Sequence, residues 1–425
     1  MKFLLSLSLL SLSLGAFAQA TKPIKVEVKK ADGRYELLRG GQPYFIKGAG
    51  GGQFPERVKA YGGNSIRTWS THGGEKTLAE ANKNGLTVMM GLDVARERHG
   101  FDYNDPKAVA DQLQRLRADV MKYKDDPALL FWGIGNELNL EYTNPKVWDA
   151  VQQIAQMIHE VDPNHPTSTV LAGLNQKEVD YIKAKCPAVD ILSINTYAGL
   201  AEIPQQVRNT GWSGPYVVAE WGPTGHWESP VTPWKASVEE TSSQKAAVYK
   251  SRYEASVAKD KTQCLGTYVF LWGQKQERTP TWYGLFTEDG KESEVVDVMQ
   301  YLWSGKWPTN RVPHLASFLL NGKKATDNVY LLPGQSVPAV VSVTDPDKDA
   351  LTYRWELLPE STDLKSGGDR ESRPAAIPGL IPAGAKAQTT LKAPTKEGAY
   401  RLFIYAYDGH DNVATANIPF YVKGK

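Results

Sequence analysis

The strongest constraint in this sequence is an alternation. Eight short, nearly continuous apolar segments, rich in Val, Ile and aromatic residues, fall at 44–50, 64–70, 87–93, 129–137, 167–173, 191–198, 216–222 and 264–273. Each precedes a segment of helical period, at 55–61, 75–84, 106–123, 145–161, 176–185, 203–209, 243–259 and 293–303. A strand that is apolar on both faces has to be covered on both faces, as in a parallel sheet wrapped by helices. Eight strand–helix units in this order predict an α/β fold, a (β/α)8 TIM barrel. A doubly wound sheet uses the same alternation and is the alternative. The helix ends carry their signals. Asp105-Pro106 and Asn144-Pro145 each pair a capping residue with proline at the first helical position, and Asn84-Gly85 closes the second helix.

The alternation stops at Trp307, Pro308 and Pro313, which read as a linker. From His314 onward, short alternating runs at 330–332, 339–343, 351–357, 389–392, 399–408 and 412–422 are separated by Gly, Pro and Asp. They predict a C-terminal all-β, immunoglobulin-like sandwich without the antibody-type disulfide. At the other end, Met1-Lys2, an apolar run from Phe3 to Leu14 and the small-x-small pattern Ala16-Phe17-Ala18 read as a signal peptide. The expected division is 1–18 signal peptide, 21–306 barrel and 314–425 sandwich. The protein is then expected to be secreted or periplasmic, with no lipobox cysteine. Cys186 and Cys264 are expected to be two separate buried thiols.

Barrel chemistry sits at the C-terminal ends of the strands. Two carboxylates there close runs that should be buried: Glu137, ending the fourth strand, and Glu220, near the end of the seventh. A carboxylate in that setting costs several kcal/mol in desolvation unless it is paired or shifts its pKa. Two facing carboxyl groups are the equipment of glycoside hydrolysis, one as acid and one as nucleophile. Arg67, at the end of the second strand, would keep Glu220 ionised, and a drier setting would raise Glu137. The competing reading is a pair of structural salt bridges.

Gly-Asn-Glu-Leu at 135–138 and Ala-Glu-Trp-Gly at 219–222 resemble clan A of the retaining glycoside hydrolases. The resemblance implies that Glu137 is the general acid/base and Glu220 the nucleophile. It also implies that Asn136 binds the sugar 2-hydroxyl, that Tyr197 orients Glu220, that Trp272 floors the −1 sugar, and that Arg67 flanks the nucleophile. The segment 37–48 is similar to the start of family 2 barrels. A barrel followed by one immunoglobulin-like domain more closely resembles family 158, the endo-β-1,3-glucanases. The expected function is therefore a secreted retaining endo-β-1,3-glucanase acting on β-glucan. The alternatives are another clan A β-glycosidase (on β-mannan or β-galactan, or exo-acting) and a non-catalytic glycan-binding barrel.

Eleven of the 12 Trp precede the sandwich, and Trp221, Trp227 and Trp234 crowd the loop after the seventh strand. Flat aromatics stack on sugar C–H faces, so these three are expected to bind substrate. Trp132 and Trp148 are expected in the core, and Glu228 is a weaker candidate for hydroxyl binding. Net charge is +2, from 49 basic and 47 acidic residues, which gives no reason to expect nucleic acid and suits an uncharged polysaccharide. No cofactor and no metal in the barrel are expected, and the protein is expected to be a monomer. Asp345, Asp347 and Asp349, with Asp408, Asp411 and Asn412, form two acidic turns that could together ligate calcium or simply be turns.

Overall fold

The computed structural model describes residues 22–424; the signal-peptide expectation lies outside them. The barrel strands are β4 (Ile46–Gly50), β5 (Ser65–Arg67), β6 (Thr87–Leu92), β7 (Leu129–Ile134), β8 (Thr167–Ala172), β9 (Ile191–Asn195), β10 (Tyr216–Trp221) and β11 (Cys264–Val269). They close into a parallel barrel in sequence order, β11 pairing with β4. All eight sit where the apolar segments predicted them, and all but β4 end earlier than predicted, where the chain leaves the sheet to build the mouth. The helices α1 (Pro55–Ala60), α2 (Gly74–Asn84), α3 (Pro106–Tyr123), α4 (Lys146–Val161), α5 (Gln176–Lys185), α6 (Ile203–Asn209), α7 (Ser242–Ala255) and α8 (Glu294–Ser304) follow the strands in turn. Asp105 caps α3, its carboxylate accepting from the N–H groups of Lys107 and Ala108 at 2.9 and 3.1 Å. The fourth helix starts one residue later than expected, with Pro145 as its cap position. Trp132 and Trp148 are fully buried, as expected.

An element absent from the sequence reading precedes the barrel. β1 (Val26–Ala31), β2 (Arg34–Arg39) and β3 (Gln42–Pro43) form a small antiparallel sheet. Val26 and Leu37 from this sheet join Ile46, Leu130, Val170, Val217 and Leu265 in the core inside the barrel. The sheet bonds to the loops that enter the strands: Val26 N–H to the Asn164 carbonyl, Tyr35 N–H to Thr262 and Arg39 to Pro127. It therefore plugs the end of the barrel away from the chemistry. Its strands are mostly exposed and carry only a few inward apolar residues, so their pattern is faint.

The C-terminal strands form two sheets. One contains β12 (His314–Leu320), β14 (Ser336–Thr344) and β16 (Gln388–Lys392); the other contains β13 (Val329–Leu331), β15 (Thr352–Pro359), β17 (Gly398–Tyr407) and β18 (Val413–Val422). Leu320, Val341, Leu391, Leu402, Ile404 and Ile418 from the two sheets share one core. The sheets are seated on α7 and on the segment ahead of it. Buried Ser243 and Ser242 accept from the Leu315 and Thr415 N–H groups at 2.8 and 2.9 Å, and Asn417 donates to buried Glu239 at 2.6 Å. Cys186 and Cys264 are both free and buried. Among the described residues no helix is long and apolar enough to cross a membrane.

Candidate active site

The chain leaves β7 through two left-handed residues separated by Asn136: Gly135 at φ +68° and Glu137 at φ +54°. A Cβ on Gly135 would lie 2.6 Å from Leu138 Cδ1, so both the angle and the packing require glycine. Glu137 has no such licence, and the strain at a non-glycine residue marks the turn as one the surroundings hold in place. The turn aims Asn136 and Glu137 into a cavity of about 370 Å³ at the barrel mouth. Asn195, the last residue of β9, donates from Nδ2 to Glu137 Oε1 at 2.9 Å and to Asn136 Oδ1 at 3.2 Å.

Glu220 enters the same cavity from β10. Its Oε1 accepts from Arg67 at 2.8 Å and from the Trp69 indole at 2.7 Å; its Oε2 accepts from the Tyr197 hydroxyl at 3.1 Å. Arg67 is 1% exposed and also donates to Asn136 Oδ1 at 2.6 Å and to the Ala219 carbonyl at 2.8 Å. That contact orients the Asn136 amide: with Oδ1 facing a guanidinium, Nδ2 is left as a donor on the other side. Burial pushes the Tyr197 hydroxyl well above its ordinary value, so it stays protonated and donates.

The two carboxyl groups are therefore unequal. Glu220 is held by a buried cation and two further donors. Glu137 has one neutral donor, and its pKa is raised from 4.5 to about 7, first by burial and then by the charge of Glu220. Near neutral pH Glu137 can therefore hold a proton beside the hydrogen-bonded Glu220. A proton donor facing an anionic oxygen nucleophile across a cavity is suited to breaking an acetal C–O bond.

Of the expected binding residues, Asn136, Tyr197 and Trp227 line the cavity. Trp227 is 59% exposed and packs edge-on against Tyr197 with centroids 5.2 Å apart. The other three Trp do not line it. Trp221 follows Glu220 on the strand, and alternation turns it outward; it is fully buried against Tyr249 and Tyr253 of α7. Trp234 packs on Tyr330 and Tyr421 of the C-terminal sheets. Trp272 lies past the end of β11 and is buried against Phe286 and Trp303, while Phe270 and Leu271 face the cavity instead. Arg67 lies beneath the cavity and holds Glu220 and Asn136. Glu228 accepts from the Ala198 and Gly225 N–H groups and so braces the loop rather than lining the site.

Trp69, Arg96, Lys275 and Glu277 line the cavity without having been singled out as binding residues. Trp69 lies near the end of the second apolar segment, two residues after Arg67, and that alternation could have found it. The others lie in loops with no periodic signal. At a distance from this site, Asp345, Asp349 and Asp408 of the two acidic turns do come together, with carboxylate oxygens within 4.8 Å of one another. Asp345 and Asp408 also serve as turn residues: each accepts from an N–H two residues on, that of Asp347 and His410 respectively.

Residues 66–261 match the family described as glycosyl hydrolases family 2, TIM barrel domain. The match covers most of the barrel and just under half of the chain. Among solved structures, Bacteroides uniformis β-glucuronidase 2, covalently bound to cyclophellitol-6-carboxylate aziridine, is similar over 94% of this chain and 48% of its own, at 15% identity and TM-score 0.52. A putative β-galactosidase from Bacteroides fragilis is similar over 94% and 58%, at 12% identity and TM-score 0.50. Ruminococcus gnavus β-glucuronidase is similar over 67% and 53%, at 15% identity and TM-score 0.52. At these identities the likeness is one of fold, and the chain spans about half the length of the solved structures it matches. No curated protein matches the chain. The matching family is thus family 2, as the segment 37–48 suggested, and not family 158. These comparisons lend no support to an endo-β-1,3-glucanase and fit the broader alternative, another β-glycosidase, better.

Proposed function

We propose that this protein is a retaining β-glycoside hydrolase that uses Glu137 as acid/base and Glu220 as nucleophile. The observation that carries the reading is the asymmetry of the pair: three donors on Glu220, and a pKa of about 7 on Glu137. Glu137 donates its proton to the glycosidic oxygen as the bond to the anomeric carbon breaks. Glu220 attacks that carbon and forms a glycosyl ester. Esterification removes the charge of Glu220, one of the two causes that keep Glu137 protonated. Glu137 then becomes a better base for the water that releases the sugar. Asn136 Nδ2 is placed to donate to a sugar hydroxyl, Trp227 to stack on a ring, and Tyr197 to steady Glu220.

The substrate class is a β-glycoside of the kind named by the similar structures, a β-glucuronide or β-galactoside, ahead of a β-1,3-glucan. The test is a panel of p-nitrophenyl β-glycosides of glucose, galactose, mannose and glucuronic acid, with laminarin as the polymer. Product configuration is followed by proton NMR. Release of a β-configured sugar, abolished in Glu220→Gln, is expected. A first-formed product of inverted configuration overturns the mechanism. Ligand binding without hydrolysis by any panel member would favour a glycan-binding protein.

A further inference from the structure

The cavity is not built by the barrel alone. Gly367, Gly368 and Asp369 line it, and they belong to the long connection between β15 and β16 of the C-terminal sheets. This connection reaches the mouth and is tied to two barrel loops. On the loop after β6, Arg98 donates to the Ser366 carbonyl at 3.1 Å, and Arg98 and His99 approach the Asp369 carboxylate at 3.6 and 3.1 Å. On the loop after β11, Lys275 donates to the Gly368 carbonyl at 2.8 Å and the Arg278 N–H donates to Glu371 Oε2 at 2.6 Å. Glu371 is 4% exposed and also accepts from the Lys365 N–H at 3.0 Å, which closes the base of the segment. Gly367 lies so close to Arg98 that an added Cβ would sit 2.4 Å from its guanidinium nitrogen. The segment is thus packed in place.

Its position has a consequence. In the ring of strands, β4 and β5 lie between β11 and β6. The loops that follow them, 51–54 and 68–73, are short. The segment bridges the longer β6 and β11 loops and closes part of the cavity wall. The cavity volume, about 370 Å³, is also near the small end of the ~300–1,000 Å³ common for ligand sites.

We propose that Lys365–Glu371, carried by the C-terminal sheets, is a wall of the sugar pocket and that Asp369 contacts the bound sugar. This rests on the glycosidase reading above. The Asp369 carboxylate is 41% exposed while His99 and Arg98 fix its direction. An oriented carboxylate accepts strongly from sugar hydroxyls. The C-terminal sheets then form part of the binding site, not only a support packed on the barrel.

Two variants of the full chain test this: Asp369→Asn and a deletion of residues 366–369. On the p-nitrophenyl glycoside that the wild type cleaves best, Asp369→Asn should raise KM about tenfold while kcat changes less than threefold. The deletion variant, offered the same glycoside, should raise KM at least as much as Asp369→Asn. Binding of the same p-nitrophenyl glycosides is also measured by calorimetry in the Glu220→Gln background, with and without Asp369→Asn. This arm reads the wall independently of turnover. An unchanged KM and an unchanged dissociation constant in Asp369→Asn overturn the proposal, as does an absence of binding in both backgrounds. If the deletion folds, an unchanged KM also overturns it; if it does not fold, the Asp369→Asn measurements decide. Failure of the glycosidase reading looks different: normal turnover in Glu220→Gln, or binding without hydrolysis by the wild type.

Discussion

The sharpest consequence of the paired carboxyl groups is that changing Glu220 should move the titration of Glu137. In the wild type, Glu137 is raised from 4.5 to about 7, which corresponds to about 3 kcal/mol in favour of its neutral form. Burial is the larger cause and the Glu220 charge the second, while Asn195, Arg67 and Arg98 pull the other way. Both carboxyl groups line one cavity, where an effective dielectric well below that of water keeps their repulsion strong. Glu220→Gln removes that repulsion and keeps an oxygen for Arg67 and Trp69 to donate to. It also leaves the Arg67 charge uncovered, which lowers Glu137 further. Glu137 should therefore titrate clearly below about 7 in the variant. The assay is carbon NMR of protein labelled at the Glu side-chain carboxyl carbon, with Glu137→Gln to assign the resonance and circular dichroism to confirm folding. In the wild type, kcat/KM should fall as pH rises through about 7, where Glu137 loses its proton. A Glu137 titration that stays within half a unit of wild type in Glu220→Gln would refute the electrostatic argument. A wild-type titration near 4.5 would refute the assignment of Glu137 as the acid.

Tyr197→Phe removes the hydroxyl donor to Glu220 Oε2 but keeps the ring packed on Trp227 and Tyr283; kcat should fall about 10–100-fold with the melting temperature little changed. Trp227→Ala and Trp221→Ala should separate cleanly: the exposed Trp227 should raise KM and leave stability intact, whereas the buried Trp221 should lose about 3–5 kcal/mol in urea unfolding. Asp297 on α8 binds Arg311 and the Val312 N–H and is raised from 3.8 to about 6 by burial. Between those values the native carboxyl keeps a proton that the unfolded chain has released, so its contribution is complete below pH 4 and lost as pH rises through 6. Relative to Asp297→Asn, the wild type should therefore lose about 3 kcal/mol between pH 4 and pH 7, and a pH-independent difference would contradict this.

Much of the architecture was legible in one dimension because the barrel strands are buried on both faces and the helices on one. Those are the two periodicities a sequence displays openly. Glu137 and Glu220 were legible for the same reason: a charge closing an apolar strand stands out against its neighbours. The Trp residues were harder. Composition placed them near the mouth, but a Trp after strand seven can face the cavity, as Trp227 does, a helix, as Trp221 does, or another sheet, as Trp234 does. For Trp221 the alternation with Glu220 held the answer. For Trp234 and Trp272 no local signal did, because their partners lie 96 or more residues away and 14 or more residues away, respectively.

What the sequence determined by itself was therefore the set of parts: eight strand–helix units, a β-rich C-terminal region, and two carboxylates at the strand ends where barrel chemistry occurs. Each depends on short-range pattern. Tertiary structure decided what those parts face. It set Arg67, Trp69 and Tyr197 on Glu220 and left Glu137 with a single neutral donor, which is what makes the pair unequal. It also carried Asp369, some 230 residues from Glu137 in the chain, to the edge of the same cavity. Loop residues carry no period, and contacts between distant loops exist only once the chain has folded.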